Sequence, residues 1–214
     1  LPPLRMIQSC ITIGLADEID MRKKTRAALN YPILKVKVDA KLPLQQLEWV
    51  MSEHPHALII MDANAAFSEQ QLIDCMQKLK NTNVVLIEQP LAVGHDEILS
   101  SIDRCIPIAA DESCVDVNSL TSLQGKYDAI NIKLDKCGGL TAAFELLHEA
   151  KKLGFKIMVG NMCGSSLAMA PAWLIAQEAE WVDLDGPLLQ TEDVIPSIDY
   201  QMGAMSAPPA LLWG

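Results

Sequence analysis

The sequence has few aromatic residues, no long apolar run and no excess of positive charge. Phe, Tyr and Trp make up 5% of its 214 residues, so the core is expected to be built from aliphatic side chains, Ala and the 10 Met. The longest uncharged stretch, Val159 to Gln177, is interrupted by glycines, Asn161 and Pro171. It falls short of the roughly 18–20 continuous apolar residues that a membrane span needs. No basic-then-apolar leader opens the chain, and a soluble protein is expected. The 17 Lys+Arg are outnumbered by 27 Asp+Glu, giving a formal net charge of −10. Such a field repels polyanions, so neither nucleic acid nor a membrane is an expected partner. The six cysteines include no C-x-x-C pair and no histidines at zinc spacing. Reduced, mostly buried thiols in a cytoplasm are the expectation.

What is present is a rhythm. Apolar, β-branched runs recur at Ser9–Ile13, Leu34–Val38, Leu58–Met61, Val84–Ile87, Ile106–Ala109, Ala129–Leu134, Lys156–Val159 and Trp181–Leu184. Each has the length of a buried strand, and their starts lie roughly 22–27 residues apart, a period that calls for a repeating supersecondary unit. The intervening segments read as amphipathic helices. Ser68 precedes Glu69-Gln70-Gln71, Pro43 heads Leu44–Ser52, and Thr141 opens Ala142–Leu153, with Gly154 just beyond. Strand–helix alternation with short connections predicts parallel strands and right-handed crossovers. Eight strands and seven helices fit a closed (β/α)7β TIM-like barrel. A doubly wound sheet is the alternative, but no G-x-G-x-x-G follows the first strand. Residues 1–190 are assigned to the barrel, and 191–214 to a tail without assigned structure.

In such a barrel function resides at the C-terminal ends of the strands, and there the chain places charge. Lys35 and Lys37 lie on strand two, Asp62 ends strand three, Glu88 strand four and Asp111 strand five. Lys133 ends strand six, and Asp183 and Asp185 belong to strand eight. A lone Asp after a strand is commonly a helix N-cap, a reading open to Asp62 and Asp111. Glu88 resists it, because Gln-Pro follows. In Lys-Val-Lys-Val the two lysines share one face and the valines the other. With the valines against the helices, both lysines point inward, where they require acidic partners. A structural salt-bridge cluster satisfies that demand. So does a site in which three carboxylates hold a hard cation such as Mg²⁺. Lys37 and Lys133 would then face each other across a substrate, to remove a proton from one side of a carbon and return it on the other. The four histidines fall in helices, helix ends or a loop and are expected to be solvated. The Gly138-Gly139 pair reads equally as a ligand approach or a tight turn.

Lys35-Val36-Lys37, Met61-Asp62-Ala63-Asn64, Ile87-Glu88-Gln89-Pro90, Ala110-Asp111-Glu112-Ser113 and Asn131-Ile132-Lys133-Leu134, in this order and spacing, resemble the barrel domain of the enolase superfamily. The nearest branch is its muconate-lactonizing group. Asp183-Leu184-Asp185-Gly186-Pro187 and the strand-seven stretch Gly160–Ser166 resemble the dipeptide epimerases within that group. The resemblance spans about Cys10 to Leu189. It implies an Mg²⁺-dependent dipeptide epimerase acting on a small-molecule substrate by two-base 1,1-proton transfer through an enediolate. Under it Asp62, Glu88 and Asp111 are the Mg²⁺ ligands, Lys37 and Lys133 the acid/base pair, and Lys35 the contact to the substrate carboxylate. Asp183 and Asp185 hold the substrate's α-ammonium. A cytoplasmic homo-oligomer is expected. Family members carry an N-terminal capping domain, and since this chain begins almost at the first barrel strand, that domain is expected to be absent. The alternatives are an N-acylamino acid racemase, a cycloisomerase or a dehydratase of the same superfamily, a Schiff-base enzyme using the strand-six lysine, or an inactive truncated barrel.

Overall fold

The structure, a computed structural model, describes residues 4–213; the extremities of the two spans assigned above, residues 1–3 and 214, lie outside the described residues. In chain order the strands are β1 (Ile7–Gln8), β2 (Ile11–Ile13), β3 (Ile33–Lys37), β4 (Leu58–Asp62), β5 (Val84–Glu88), β6 (Ile108–Ala110), β7 (Ala129–Ile132), β8 (Lys156–Val159), β9 (Trp181–Val182), β10 (Tyr200–Gln201) and β11 (Ala204–Met205). The helices are α1 (Glu18–Ala27), α2 (Pro43–Glu53), α3 (Glu69–Leu79), α4 (Leu120–Leu123), α5 (Leu134–Cys137), α6 (Leu140–Lys152) and α7 (Ser166–Ala176). Two compact units result. One comprises Ile11–Ser113 with Leu123–Ala129; the other comprises the described residues up to Cys10, Cys114–Ser122 and the chain from Ile130.

The first unit carries β2 to β6 side by side, in sequence order. Strands β2 to β6 are all parallel, with Lys35 opposite Ile60, Lys37 opposite Asp62 and Asp62 opposite Glu88. This register stacks the charged strand ends at one level. The apolar residues between them are sealed: Leu34, Val36, Ile59, Ile60, Met61, Leu86 and Ile87 are fully buried, as strands covered on both faces require. Ser68 does cap α3. Its hydroxyl accepts from the Gln71 N–H while the Gln71 side chain accepts from the Ser68 N–H, a reciprocal capping box. Pro43 begins α2 at the position where its missing donor costs nothing. Arg22 and Arg26 of α1 both reach Glu53 at the end of α2.

Two crossovers differ from the expected helices. Between β5 and β6 there is only the four-residue 3₁₀ turn Glu97–Ser100. Between β6 and β7 there are Val117–Ser119 and the single turn α4.

In the second unit β7, β8 and β9 are neighbours in that order, with β8 and β9 parallel. Helix α6 begins at Leu140 after Gly139, so Thr141 lies inside the first turn and does not cap it. Its end is as expected, with Gly154 at φ +85°. Gly138 and Gly139, at φ +97° and +102° with open space around them, make the turn into α6. The tail is not structureless. β10 and β11 form a hairpin through Met202-Gly203, and β11 pairs with β1. Asp193 accepts the N–H and hydroxyl of Ser166 at the start of α7.

Four cysteines are buried, Cys105 and Cys163 are exposed, and none is in a disulfide. His54 departs from the expected solvation: it is 9% exposed, and its ring Nε2 lies 3.0 Å from the Tyr31 carbonyl. No helix among the described residues is long and apolar enough to cross a membrane.

Candidate functional site

Lys35, Lys37, Asp62 and Glu88 of the first unit form one cluster. Alternation along β3 puts Val36 into the apolar layer and brings Lys35 and Lys37 to the opposite face. The Lys35 ammonium is 3.0 Å from Asp62 Oδ2 and 2.8 Å from Glu88 Oε2, and these three side chains are 3%, 1% and 0% exposed. Lys37, at 30% exposure, reaches the same Asp62 oxygen at 2.6 Å and the Asn64 side-chain carbonyl at 2.7 Å. Burial opposes ionisation of Asp62, but the attraction of Lys35 and Lys37 together outweighs it and holds the carboxyl below its usual range. The cluster is thus a compensated set of buried charges.

Neither Asp62 nor Asp111 is a helix N-cap. Ser68 fills that role for α3, and Asp116 for the turn at Val117. Asp111, 3% exposed, follows β6, and its N–H donates to the Gln89 side-chain carbonyl at 2.9 Å. Backbone strain concentrates here. Asn64, Ala65 and Gln89, just past the ends of β4 and β5, have φ of +42°, +60° and +33°, a conformation costly for residues with a Cβ and typical of sites over-determined by their surroundings. Asn64 links three groups: its N–H donates to Asp62 Oδ1, its carbonyl accepts from Lys37, and its amide donates to Glu112 Oε1. The sequence assigned no role to Asn64, Gln89 or Glu112. Only the tolerance of Asn for the left-handed region hints at the first.

Asp62, Glu88 and Asp111 are oxygen donors on three adjacent strands, the donor type that Mg²⁺ selects. In the arrangement described, however, no three His, Cys, Asp or Glu side chains among the described residues converge as a ready metal cage. Asp62 and Glu88 are instead held by the lysines. The set fits the ion in donor chemistry and burial, and an ion entering it competes with ammonium groups for the same oxygens.

The second unit holds the remaining expected residues. Lys133, 7% exposed, follows β7 and precedes α5. A Cβ placed on Gly160 would lie 3.0 Å from Lys133 Cε and 2.7 Å from Asn131 Oδ1, so the bare glycine makes room for the lysine stem. Asp183 and Asp185 are 3% and 2% exposed. The Cys10 thiol lies 3.4 Å from Asp183 Oδ1. The segment between them is fixed by the Asn161 amide to the Asp183 carbonyl, the Leu184 N–H to Ser9 Oγ and the Tyr200 hydroxyl to the Leu184 carbonyl.

Comparison with known proteins gives one consistent picture. The family model for Enolase C-terminal domain-like proteins matches residues 18–210. An N-acetyl-D-glutamate racemase of a Pseudoalteromonas species is 46% identical over 203 residues, 95% of this chain and 64% of its own. The L-Ala-D/L-Glu epimerase of Escherichia coli K12 is 34% identical over 205 residues, 96% of this chain and 64% of its own. The chain thus spans just under two thirds of each of these relatives. Among solved structures, an enolase family member from Agrobacterium tumefaciens with homology to dipeptide epimerases, with bound sodium and L-Ala-L-Glu, superposes with a TM-score of 0.96. The identity is 42%, over 99% of this chain and 65% of that one. A dipeptide epimerase from Cytophaga hutchinsonii, complexed with Mg and D-Ala-L-Val, gives a TM-score of 0.87 at 26% identity, over 95% of this chain and 59% of that one.

Proposed function

The chain belongs to the enolase C-terminal domain-like family, and on that footing we propose that it is the barrel part of an Mg²⁺-dependent dipeptide epimerase. The observation that carries the reading is the buried Lys35–Asp62–Glu88 cluster with Lys37 at its edge, joined to the dipeptides bound by the Agrobacterium and Cytophaga proteins. Asp62, Glu88 and Asp111 would hold the cation, which when bound supplies Lewis-acid stabilisation of the charge that develops on a substrate carboxylate.

The remaining chemistry belongs to side chains of this chain. An α-proton beside a carboxylate is weakly acidic, so the enediolate left by its removal needs preorganised positive charge, and Lys35 is assigned that contact. Two-base transfer needs one amine on each side of the α-carbon, one to take the proton and one to return it; Lys37 and Lys133 are the two assigned. A base of this kind must be neutral when it acts, which neighbouring cations promote. Asp183 and Asp185, held buried by backbone contacts, supply acceptors for a free α-ammonium.

A second reading keeps the site and changes the substrate. The Pseudoalteromonas relative is named for an N-acetylated amino acid, which has no ammonium for Asp183 and Asp185 to hold. Location in the cytoplasm and assembly as a homo-oligomer complete the proposal; cysteines outside disulfides support the former, and light-scattering mass checks the latter. The deciding experiment is mass spectrometry of dipeptides and N-acetyl amino acids incubated with the protein and Mg²⁺ in D₂O. Gain of one mass unit by dipeptides, abolished by EDTA, supports the leading reading. Exchange confined to N-acetyl amino acids replaces it with the second, and exchange in neither class, with the barrel joined to a family capping domain, overturns both.

A further inference from the structure

Between β5 and β6 lies a polar network that the proposed chemistry does not use. Gln89 is fully buried and directly follows Glu88. Its side-chain carbonyl accepts two backbone N–H groups, from Asp111 at 2.9 Å and Ser113 at 3.0 Å. Its amide nitrogen, with two hydrogens to donate, has three acceptors within reach: the Leu91 carbonyl at 2.8 Å, Ser113 Oγ at 2.9 Å and the Tyr127 hydroxyl at 3.2 Å. The two N–H groups settle which end of the side chain is oxygen, because a flipped amide would set donor against donor. The chain of bonds continues outward. Tyr127 donates to Asp96 Oδ2 at 2.9 Å, and Asp96 pairs with Lys126 at 3.0 Å. Tyr127 and Asp96 are each 4% exposed.

The backbone of Asp111 is therefore held by the side chain of the residue next to Glu88. A buried amide with every polar atom committed is rigid, since losing one partner strands a desolvated group. The positive φ of Gln89 shows that the backbone accepts strain to put this side chain there. Shape alone would be served by a buried Met or Leu; the bonding pattern serves only to lock the β5 end to the β6 end.

We infer that Gln89, braced by Tyr127, is a positioning residue that clamps the backbone of Asp111 beside the end of β5 and so limits how far the Glu88 and Asp111 carboxylates can move apart when a small octahedral cation binds. The inference rests on the assignment of those carboxylates as cation ligands. Mg²⁺ demands near-ideal geometry, whereas Ca²⁺ accepts irregular and longer coordination. Loosening the brace therefore penalises Mg²⁺ more than Ca²⁺, whereas a general loss of stability weakens both alike.

The test is calorimetric titration of the full chain with Mg²⁺ and, separately, Ca²⁺, for wild type, Gln89→Ala, Tyr127→Phe and Asp111→Asn, with circular dichroism to establish folding. Gln89→Ala should weaken Mg²⁺ binding about 10–100-fold, the range typical of groups that orient metal ligands, and Ca²⁺ binding by less. Tyr127→Phe keeps the ring and its packing, so it serves if Gln89→Ala fails to fold; a loss of about tenfold for Mg²⁺ is expected. Unchanged Mg²⁺ affinity in a folded variant, or equal losses for the two cations, overturns the inference while leaving the ligand set standing. A wild-type chain that binds neither cation, or an Asp111→Asn chain that binds as wild type does, overturns the ligand set and the inference with it.

Discussion

The Lys35 ammonium and the Glu88 carboxylate form an ion pair of 2.8 Å between side chains that are 3% and 0% exposed. With Asp62 Oδ2 3.0 Å from the same nitrogen, one cation holds two buried carboxylates. Replacing Lys35 by Met should therefore destabilise the chain by about 3–5 kcal/mol, the cost of breaking a buried pair from one side. Urea unfolding measures it. Mg²⁺ should restore part of the loss in the variant, since a ligand that binds only the folded state stabilises it by mass action. A variant indifferent to Mg²⁺ would count against a cation site at Asp62 and Glu88.

Asp62 makes stability depend on acid. Its carboxyl is held below the usual range by Lys35 and Lys37 against the opposing effect of burial. A group whose pKa is lower folded than unfolded contributes fully above the unfolded value, about 3.9, and loses that contribution as pH falls through the folded one. The urea midpoint should accordingly hold from pH 7 to about 5 and drop below about 4, more steeply in wild type than in Asp62→Asn.

Replacing Lys133 by Ala should lower epimerisation by about 10²–10⁴-fold, the usual contribution of a positioned acid or base. Lys37→Ala should do the same. With two bases, each variant should still exchange deuterium with one epimer of the substrate while interconverting the two only at the residual rate. Turnover unchanged in either variant would remove that lysine from the chemistry.

Gly160→Ala tests the placement of Lys133 without touching the lysine itself. The added Cβ meets Asn131 Oδ1 at 2.7 Å and Lys133 Cε at 3.0 Å, so one of them must move. A displacement near 1 Å costs about 100-fold in rate, and it should appear in kcat rather than in KM.

Asp183→Asn separates the two candidate substrates. A dipeptide loses its charge partner, and its kcat/KM should fall about 10-fold or more, as for loss of a charge-assisted hydrogen bond. An N-acetyl amino acid should be little affected.

Much of this was legible in the chain itself. The 22–27-residue recurrence of apolar runs marked where strands β2 to β9 fall, because strand burial writes a continuous local pattern of β-branched residues. The alternation in Lys35-Val36-Lys37 told which face the lysines take, because the side-chain period of a strand is two. Ser68 and Gly154 marked helix ends for equally local reasons, a hydroxyl for orphan N–H groups and a missing Cβ for a left-handed turn. The missed elements depend on partners distant in sequence. The tail hairpin forms a sheet with a strand near the start of the chain, and His54 is buried because Tyr31 supplies a carbonyl. Gln89 acquires its meaning from Ser113, Tyr127 and, beyond them, Asp96. Local sequence carries strand period, helix caps and the kinds of charge at strand ends. Only the tertiary structure decides which of those charges share a proton acceptor or a backbone clamp, because a hydrogen bond is satisfied by whatever the fold brings within 3 Å.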